Sequence, residues 1–266
     1  MRFSPFLALA LVIGAAGAAG GWWAMHGRGG AGQGEEQQAA ATDAKLESQL
    51  ADAGIDARKR GAIEALVRSY ILEHPEVLPE AMEKLQNRET EARLAPVRGA
   101  IETPFPGAIL GNPQGKVTLV EFTDFSCTYC RSSVADVEAL VKDNPDLRVV
   151  VRELPIIAPE SEPAARMGLA AAAQGKYAAF HKAMFSGERP SSTSIAAAAN
   201  AAGVDSNAAT AFAQQPGVHQ ELERNLGFAR QLGINGTPAW SVGGKLMTGA
   251  VGREALQAAV DAARKG

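Results

Sequence analysis

A pair of cysteines placed directly after a buried strand is the feature that most restricts how this chain can fold. Cys127 and Cys130 are the only cysteines among the 266 residues. The apolar run 117–122 predicts a buried strand, and apolar residues then recur at helical spacing over 127–144. Backbone N–H groups and the helix dipole favour a thiolate at such a junction. Because the thiolate is the nucleophile of disulfide exchange, the pattern indicates a thiol–disulfide oxidoreductase.

Three other interpretations of the two cysteines stay open. A structural disulfide across two residues would stabilise little, because closing so short a loop removes little entropy. Zinc takes about four ligands, and the four histidines are scattered along the chain. Two inert buried thiols this close together would be expected to oxidise to a disulfide in an oxidising compartment. We therefore predict neither a metal site nor a cofactor.

The N-terminal segment predicts export from the cytoplasm. Arg2 precedes an apolar run that reaches residue 25, and Ala-Gly-Ala at 16–18 is typical of a signal cleavage site. Two tryptophans near the end of the run suit a membrane interface, so the segment could instead remain as an anchor. We predict a signal peptide or membrane anchor over residues 1–25 and a glycine-rich flexible linker over 26–42.

Residues 43–100 predict a separate helical element. Its first helix carries an apolar stripe made of Ile63, Leu66, Val67, Tyr70 and Ile71. His74-Pro75 should interrupt that helix, and a second short stripe and a charged, exposed segment over 89–98 follow. Two short amphipathic helices cannot build a core alone, so their apolar faces should dock on the rest of the chain or on a second copy.

The remaining chain, from about residue 104 to 266, predicts one α/β domain. A strand, a helix and a second strand over 147–154 indicate a parallel βαβ unit. A block of four or five short helices follows at about 160–233. The pattern ends with strands at 239–242 and 245–248, joined by two glycines, and a final helix.

This arrangement resembles the DsbA-like branch of the thioredoxin superfamily. The matching stretches are residues 120–130, which contain the cysteines, and residues 234–239. The resemblance implies a thioredoxin fold with an inserted helical domain. It also implies a cis Thr237–Pro238 peptide bond that faces the dithiol and helps to bind the substrate chain.

The resemblance also assigns roles around the two sulfur atoms. Cys127 would be the exposed attacking sulfur, and Cys130, one turn further on, the buried resolving sulfur. Thr128 and Tyr129 between them would tune the reduction potential. Glu121 occupies the position of a buried acid beneath the dithiol, where its pKa would rise and it could exchange a proton with Cys130. A solvated strand-end carboxylate is the alternative, and Asp124 is a second candidate, expected in a loop.

Residues 60–78 resemble the N-terminal extension of ScsC-type (suppressor of copper sensitivity) proteins. In several of those proteins this extension is a trimeric oligomerisation stalk. The resemblance implies a periplasmic homo-oligomer, a trimer, that isomerises or reduces disulfides in misfolded or cysteine-containing exported proteins. It further implies a membrane redox partner that resets the dithiol. A monomeric dithiol oxidase, or a copper-handling or chaperone module with accessory redox chemistry, is the alternative. The net charge of −3 predicts no nucleic-acid partner.

Overall fold

The computed structural model describes residues 48–265, and the chain divides into two compact units between Pro79 and Glu80. The predicted signal or anchor over 1–25 and the predicted linker over 26–42 lie outside the described residues. No helix within the described part of the chain is long and apolar enough to cross a bilayer.

The described chain begins with a short helical stretch at residues 48–52, and two long helices follow. Helix α1 spans Ala57–Glu73 and helix α2 spans Val77–Leu94. The Asp56 side chain caps α1 by accepting a hydrogen bond from the Lys59 N–H at 2.8 Å. His74 ends α1 as predicted, because the following proline lacks the N–H that the helix would need.

The second unit contains a five-stranded sheet with the order β1-β3-β2-β4-β5, counted over residues 80–265. The strands are β1 (Ile109–Gly111), β2 (Val117–Thr123), β3 (Leu147–Glu153), β4 (Ala239–Val242) and β5 (Lys245–Thr248). Strands β2 and β3 are parallel and every other pair is antiparallel, which confirms the predicted βαβ unit and the final hairpin. The short edge strand β1 was not predicted.

Helices cover both faces of this sheet. They are α3 (Arg98–Glu102), α4 (Thr128–Asp143), α5 (Ser161–Ala173), α6 (Tyr177–Ser186), α7 (Ser192–Ala201), α8 (Ser206–Ala213), α9 (Pro216–Leu232) and α10 (Arg253–Ala263). Helices α5 to α9 form the predicted block between β3 and β4. The structure is therefore a thioredoxin-like α/β fold with an inserted helical domain, preceded by a helical region.

Alternate residues of β2 enter two different hydrophobic cores. Leu119 packs on one side of the sheet with residues of α4 and α10. Phe122 packs on the other side with Leu94, Val97 and Ile101. The prediction that the segment 89–98 is exposed is therefore only partly right, since Leu94 and Val97 are buried. The α/β unit also begins before the predicted residue 104, because apolar residues within 94–101 complete its core.

A buried arginine holds this second core together. The Arg152 guanidinium pairs with the Glu221 carboxylate of α9 at 2.7 Å, and both side chains are almost fully buried. The same guanidinium donates to the Ile101 carbonyl, at 3.0 Å from Nε, and to the carbonyls of Ala100 and Thr103. Because burial makes an unpaired charge very costly, this set of partners fixes α3 and α9 against β3.

We expect Arg152→Met to lower the free energy of unfolding by about 3–5 kcal/mol, because it leaves the Glu221 carboxylate buried without its main partner. Arg224 provides a matched control, since its side chain also pairs with Glu221, at 3.1 Å, but is 58% exposed. Arg224→Ala should cost less than about 1 kcal/mol. Urea unfolding measures both, and equal losses in the two variants would contradict the assigned role of Arg152.

Candidate active site

The dithiol lies where β2 ends and α4 begins. Cys127 is the N-cap of α4, and Cys130 lies within its first turn. Both are free thiols. Cys130 is 1% exposed, as predicted, but Cys127 is only 5% exposed, so the expectation of an exposed attacking sulfur is wrong for this structure. The reason is that Cys127 Sγ lies against the loop before β4. Between the two cysteines, the Tyr129 side chain is 66% exposed.

The loop that covers Cys127 contains the predicted cis peptide bond between Thr237 and Pro238. Cys127 Sγ is 3.1 Å from the Thr237 carbonyl oxygen, to which the thiol form donates a hydrogen bond. Strand pairing creates this proximity, because β4 begins directly after Pro238 and its Ala239 is in register with Phe122 of β2. The structure therefore brings together Cys127, Cys130, Thr237 and Pro238, as the sequence predicts.

The two sulfur atoms have opposite electrostatic environments. The pKa of Cys127 is lowered to about 5, first by hydrogen bonding from the Cys130 thiol, and further by the Thr237 side chain and the N–H groups of Cys130 and Tyr129. Burial, chiefly, raises the pKa of Cys130 far above its ordinary value. At neutral pH, Cys127 is therefore a thiolate and Cys130 a protonated thiol. An ionised nucleophile beside a protonated partner is the starting state for disulfide exchange.

Glu121 is the buried acid expected beneath the dithiol. Its side chain is almost fully buried, and burial raises its pKa to about 7, although the Thr123 side chain opposes that rise. The alternative of a solvated strand-end carboxylate is therefore wrong. A carboxyl group that titrates near neutral pH can both accept and return a proton under working conditions. Its charge also contributes to the raised pKa of Cys130.

Asp124 does lie in a loop, as predicted, but it is buried and serves as a loop anchor. Its Oδ1 accepts a hydrogen bond from the Ser126 N–H at 2.8 Å. Its Oδ2 accepts from the N–H groups of Ile156 and Ile157 at 2.8 and 2.9 Å. One carboxylate thus joins the loop that carries the dithiol to the loop that follows β3.

Sequence reasoning missed a further buried acid, Glu153 at the end of β3. Its Oε1 accepts a hydrogen bond from the Tyr177 hydroxyl at 2.7 Å, and burial raises its pKa well above the ordinary value. The available signal was its place on β3, since Glu153 and Thr123 end two neighbouring strands and are in register. No group of three or more His, Cys, Asp or Glu residues within 48–265 could hold a metal ion.

A dithiol at a helix N-terminus, facing a cis-proline loop above a thioredoxin-like sheet, defines a thioredoxin-fold thiol–disulfide oxidoreductase. Residues 118–261 match the DSBA-like thioredoxin domain, and the chain belongs to that family. Residues 60–92 match the copper resistance protein ScsC N-terminal domain.

Solved structures agree with this assignment. A thioredoxin-like oxidoreductase from Silicibacter pomeroyi DSS-3 is 42% identical, with a TM-score of 0.57 over 59% of this chain and 92% of that one. A linker-deletion mutant of Proteus mirabilis ScsC is 27% identical, with a TM-score of 0.61 over 79% of this chain and 97% of that one.

A curated relative is an Na⁺/H⁺ antiporter NhaA of Herminiimonas arsenicoxydans. It is 32% identical over 162 residues, which cover 59% of this chain and 26% of that protein. The match therefore spans about a quarter of the length of that relative.

Alkylation of the reduced protein tests the two sulfur environments. Cys127 should react first, and its rate should reach half of its maximum at about pH 5, where its thiolate forms. Cys130→Ala should move that midpoint upward, because it removes the largest cause of the lowered pKa. Cys130→Ser retains a hydrogen-bond donor and should move it less. First labelling at Cys130 would contradict the assignment.

Proposed function

We propose that this protein is a periplasmic oxidoreductase that acts on protein disulfides, as an oligomeric isomerase and reductase. The observation that carries the proposal is the contrast between the two cysteines. Cys127 combines a lowered pKa with a place at the start of α4, and Cys130 is buried and protonated. A pair of this kind can attack a substrate disulfide with one sulfur and release the substrate with the other.

The reaction begins when the Cys127 thiolate attacks one sulfur of a substrate disulfide. A Cys127–substrate bond forms, the substrate S–S bond breaks, and the other substrate sulfur leaves as a thiolate. In isomerisation, a substrate thiolate attacks the mixed disulfide, a new substrate disulfide forms, and the Cys127 thiolate returns. In reduction, Cys130 loses its proton and attacks Cys127 Sγ. The Cys127–Cys130 disulfide then forms, and the substrate leaves with two additional electrons.

Three neighbouring groups support these steps. Glu121 takes up the proton of Cys130, because its pKa near 7 keeps much of the carboxyl ionised at neutral pH. Thr237 and Pro238 line the other side of the dithiol, where a substrate backbone would pair. Thr128 and Tyr129 are exposed between the cysteines, so they can contact the substrate and tune the reduction potential.

The low pKa of Cys127 favours an alternative in which the protein is a monomeric DsbA-like oxidase. Stabilising the thiolate stabilises the reduced dithiol, and this makes the disulfide form a stronger oxidant. Either function needs a redox partner that resets the dithiol, and for an exported protein we propose a partner in the membrane. Copper handling remains a separate candidate, for which loss of copper binding in a variant without both cysteines would be the decisive measurement.

The oligomeric state separates the isomerase from the oxidase. Four of the five side chains in the apolar stripe of α1 are exposed, with Leu66 at 69%, and Ile71 is half-buried. The stripe lies within the residues that match the ScsC N-terminal domain. We propose that copies of this stripe pack together to form a homo-oligomer, most simply a trimer. Several dithiols around one space would act repeatedly on the same misfolded substrate, because the local concentration of sites is high.

Substitution of each cysteine tests the division of labour. Cys127→Ala should abolish exchange, because it removes the attacking thiolate. Cys130→Ala should accumulate mixed disulfides with substrate, because the resolving sulfur is absent. Non-reducing electrophoresis and mass spectrometry detect these adducts. If Cys130→Ala accumulated none while Cys127→Ala did, the two roles would have to be exchanged.

A charge placed in the apolar stripe tests the oligomer. Leu66→Glu should yield a monomer in light scattering and weaken isomerisation of a scrambled disulfide substrate, because it buries a carboxylate in the proposed interface. Arg68→Glu is the matched control, since Arg68 lies on another face of the same helix and should leave the oligomer intact. A parent protein that is monomeric and lacks isomerase activity would leave the oxidase alternative.

A further inference from the structure

Three side chains share one face of the sheet directly below the dithiol. Glu121 and Thr123 are two residues apart on β2, so both point to the side of the sheet that Leu119 faces. Glu153 lies beside Thr123 on the parallel strand β3. All three side chains are buried, and each has one oxygen without a hydrogen-bond partner among the described residues. Buried polar atoms of this kind call for an explanation.

The Thr123 side chain interacts with both the acid and the resolving sulfur. It is close enough to influence the pKa of Glu121 and that of Cys130, and it lowers both. It nevertheless completes no hydrogen bond of normal geometry with any described group. A hydroxyl has one donor and two acceptor positions and can rotate, so it can accept a proton from one neighbour while it donates its own to the other.

We infer that the Thr123 hydroxyl relays the proton between the Cys130 thiol and the Glu121 carboxylate during resolution of the mixed disulfide. The Cys130 S–H proton passes to Thr123 Oγ1, and the hydroxyl proton of Thr123 passes to the free Oε2 of Glu121. The Cys130 sulfur then attacks Cys127 Sγ, the new S–S bond forms, and the substrate leaves as a thiolate. The same path runs backwards when the redox partner reduces the Cys127–Cys130 disulfide, because Cys130 then regains its proton.

Other titratable groups on this face compete less well for that proton. They are Glu153 of β3, Asp124 after β2, Tyr177 and His181 of α6, and Cys127 of α4. Glu153 already accepts a hydrogen bond from Tyr177, and burial raises its pKa well above the ordinary value. Both carboxylate oxygens of Asp124 already accept hydrogen bonds from backbone N–H groups. Trp240, in register with Glu121 on β4, carries no charge.

The test rests on the proposed function and follows the two thiol-exchange steps separately. Reduced protein is mixed with an excess of a fluorogenic disulfide peptide in a stopped-flow instrument. A first phase that depends on peptide concentration reports attack by Cys127, and a second phase that does not reports resolution by Cys130. Absence of the first phase in the parent protein would refute the proposed function itself, whereas the relay concerns only the second phase.

We expect Thr123→Val to slow the second phase about 100-fold at neutral pH, the lower end of what a positioned proton-transfer group contributes. The first phase should be unchanged, and Thr123→Ser should restore the second because it restores the hydroxyl. In the parent, the second phase should accelerate as the pH rises through about 7, where Glu121 ionises. In Thr123→Val that acceleration should move to higher pH, where Cys130 ionises unaided.

A double-variant comparison separates a relay from a purely structural role. If Thr123 acts through Glu121, then Glu121→Gln combined with Thr123→Val should be no slower than Glu121→Gln alone. The inference would be overturned if the two substitutions together slowed the second phase by the product of their separate effects. It would also be overturned if Thr123→Val kept the parent's rate and pH profile, or if Thr123→Ser were as slow as the valine variant. Urea unfolding of the valine variant checks the fold, and replacing a hydroxyl that lacks a partner should not reduce stability.

Discussion

The ion pair between Arg152 and Glu221 is the interaction on which the placement of the active site depends. It fixes α9 against β3, and α9 leads directly into the loop that contains Thr237 and Pro238. That loop in turn covers Cys127. The desolvation of two buried charges offsets much of their mutual attraction. The ion pair therefore adds little net stability, and its main effect is to permit only one arrangement of the helices.

Arg152 and Glu153 are neighbours at the end of β3 and point to opposite faces of the sheet. The two faces differ in how their buried charged groups are treated. Arg152 faces a core in which charges are paired permanently. Glu153 faces the side where Glu121 is also found, and burial raises the pKa of both carboxyl groups. The paired charges on one side hold the scaffold, and the proton exchange proposed for Glu121 would take place on the other side without disturbing them.

The local part of this structure could be predicted from the sequence, because strand and helix periodicity, the cysteine spacing and the glycine turn are all short-range signals. The burial of Cys127 could not be predicted in this way, because the loop that covers its sulfur lies 110 residues further along the chain. The burial of Glu153 depends on Tyr177, which packing of the helical block brings into place. The same holds for Leu94 and Val97, which follow a charged stretch but complete a core formed by distant residues.

Asp124 has a consequence for how the protein meets its substrates. Because one carboxylate binds three backbone N–H groups, the loop with the exposed residues Ile156 and Ile157 is ordered as soon as the chain folds. A polypeptide substrate of the kind proposed would meet a preorganised apolar surface beside the dithiol loop and would lose no affinity to ordering it. Weak contacts with many different sequences would then be sufficient, and selectivity would reside in the disulfide of the substrate rather than in its side chains.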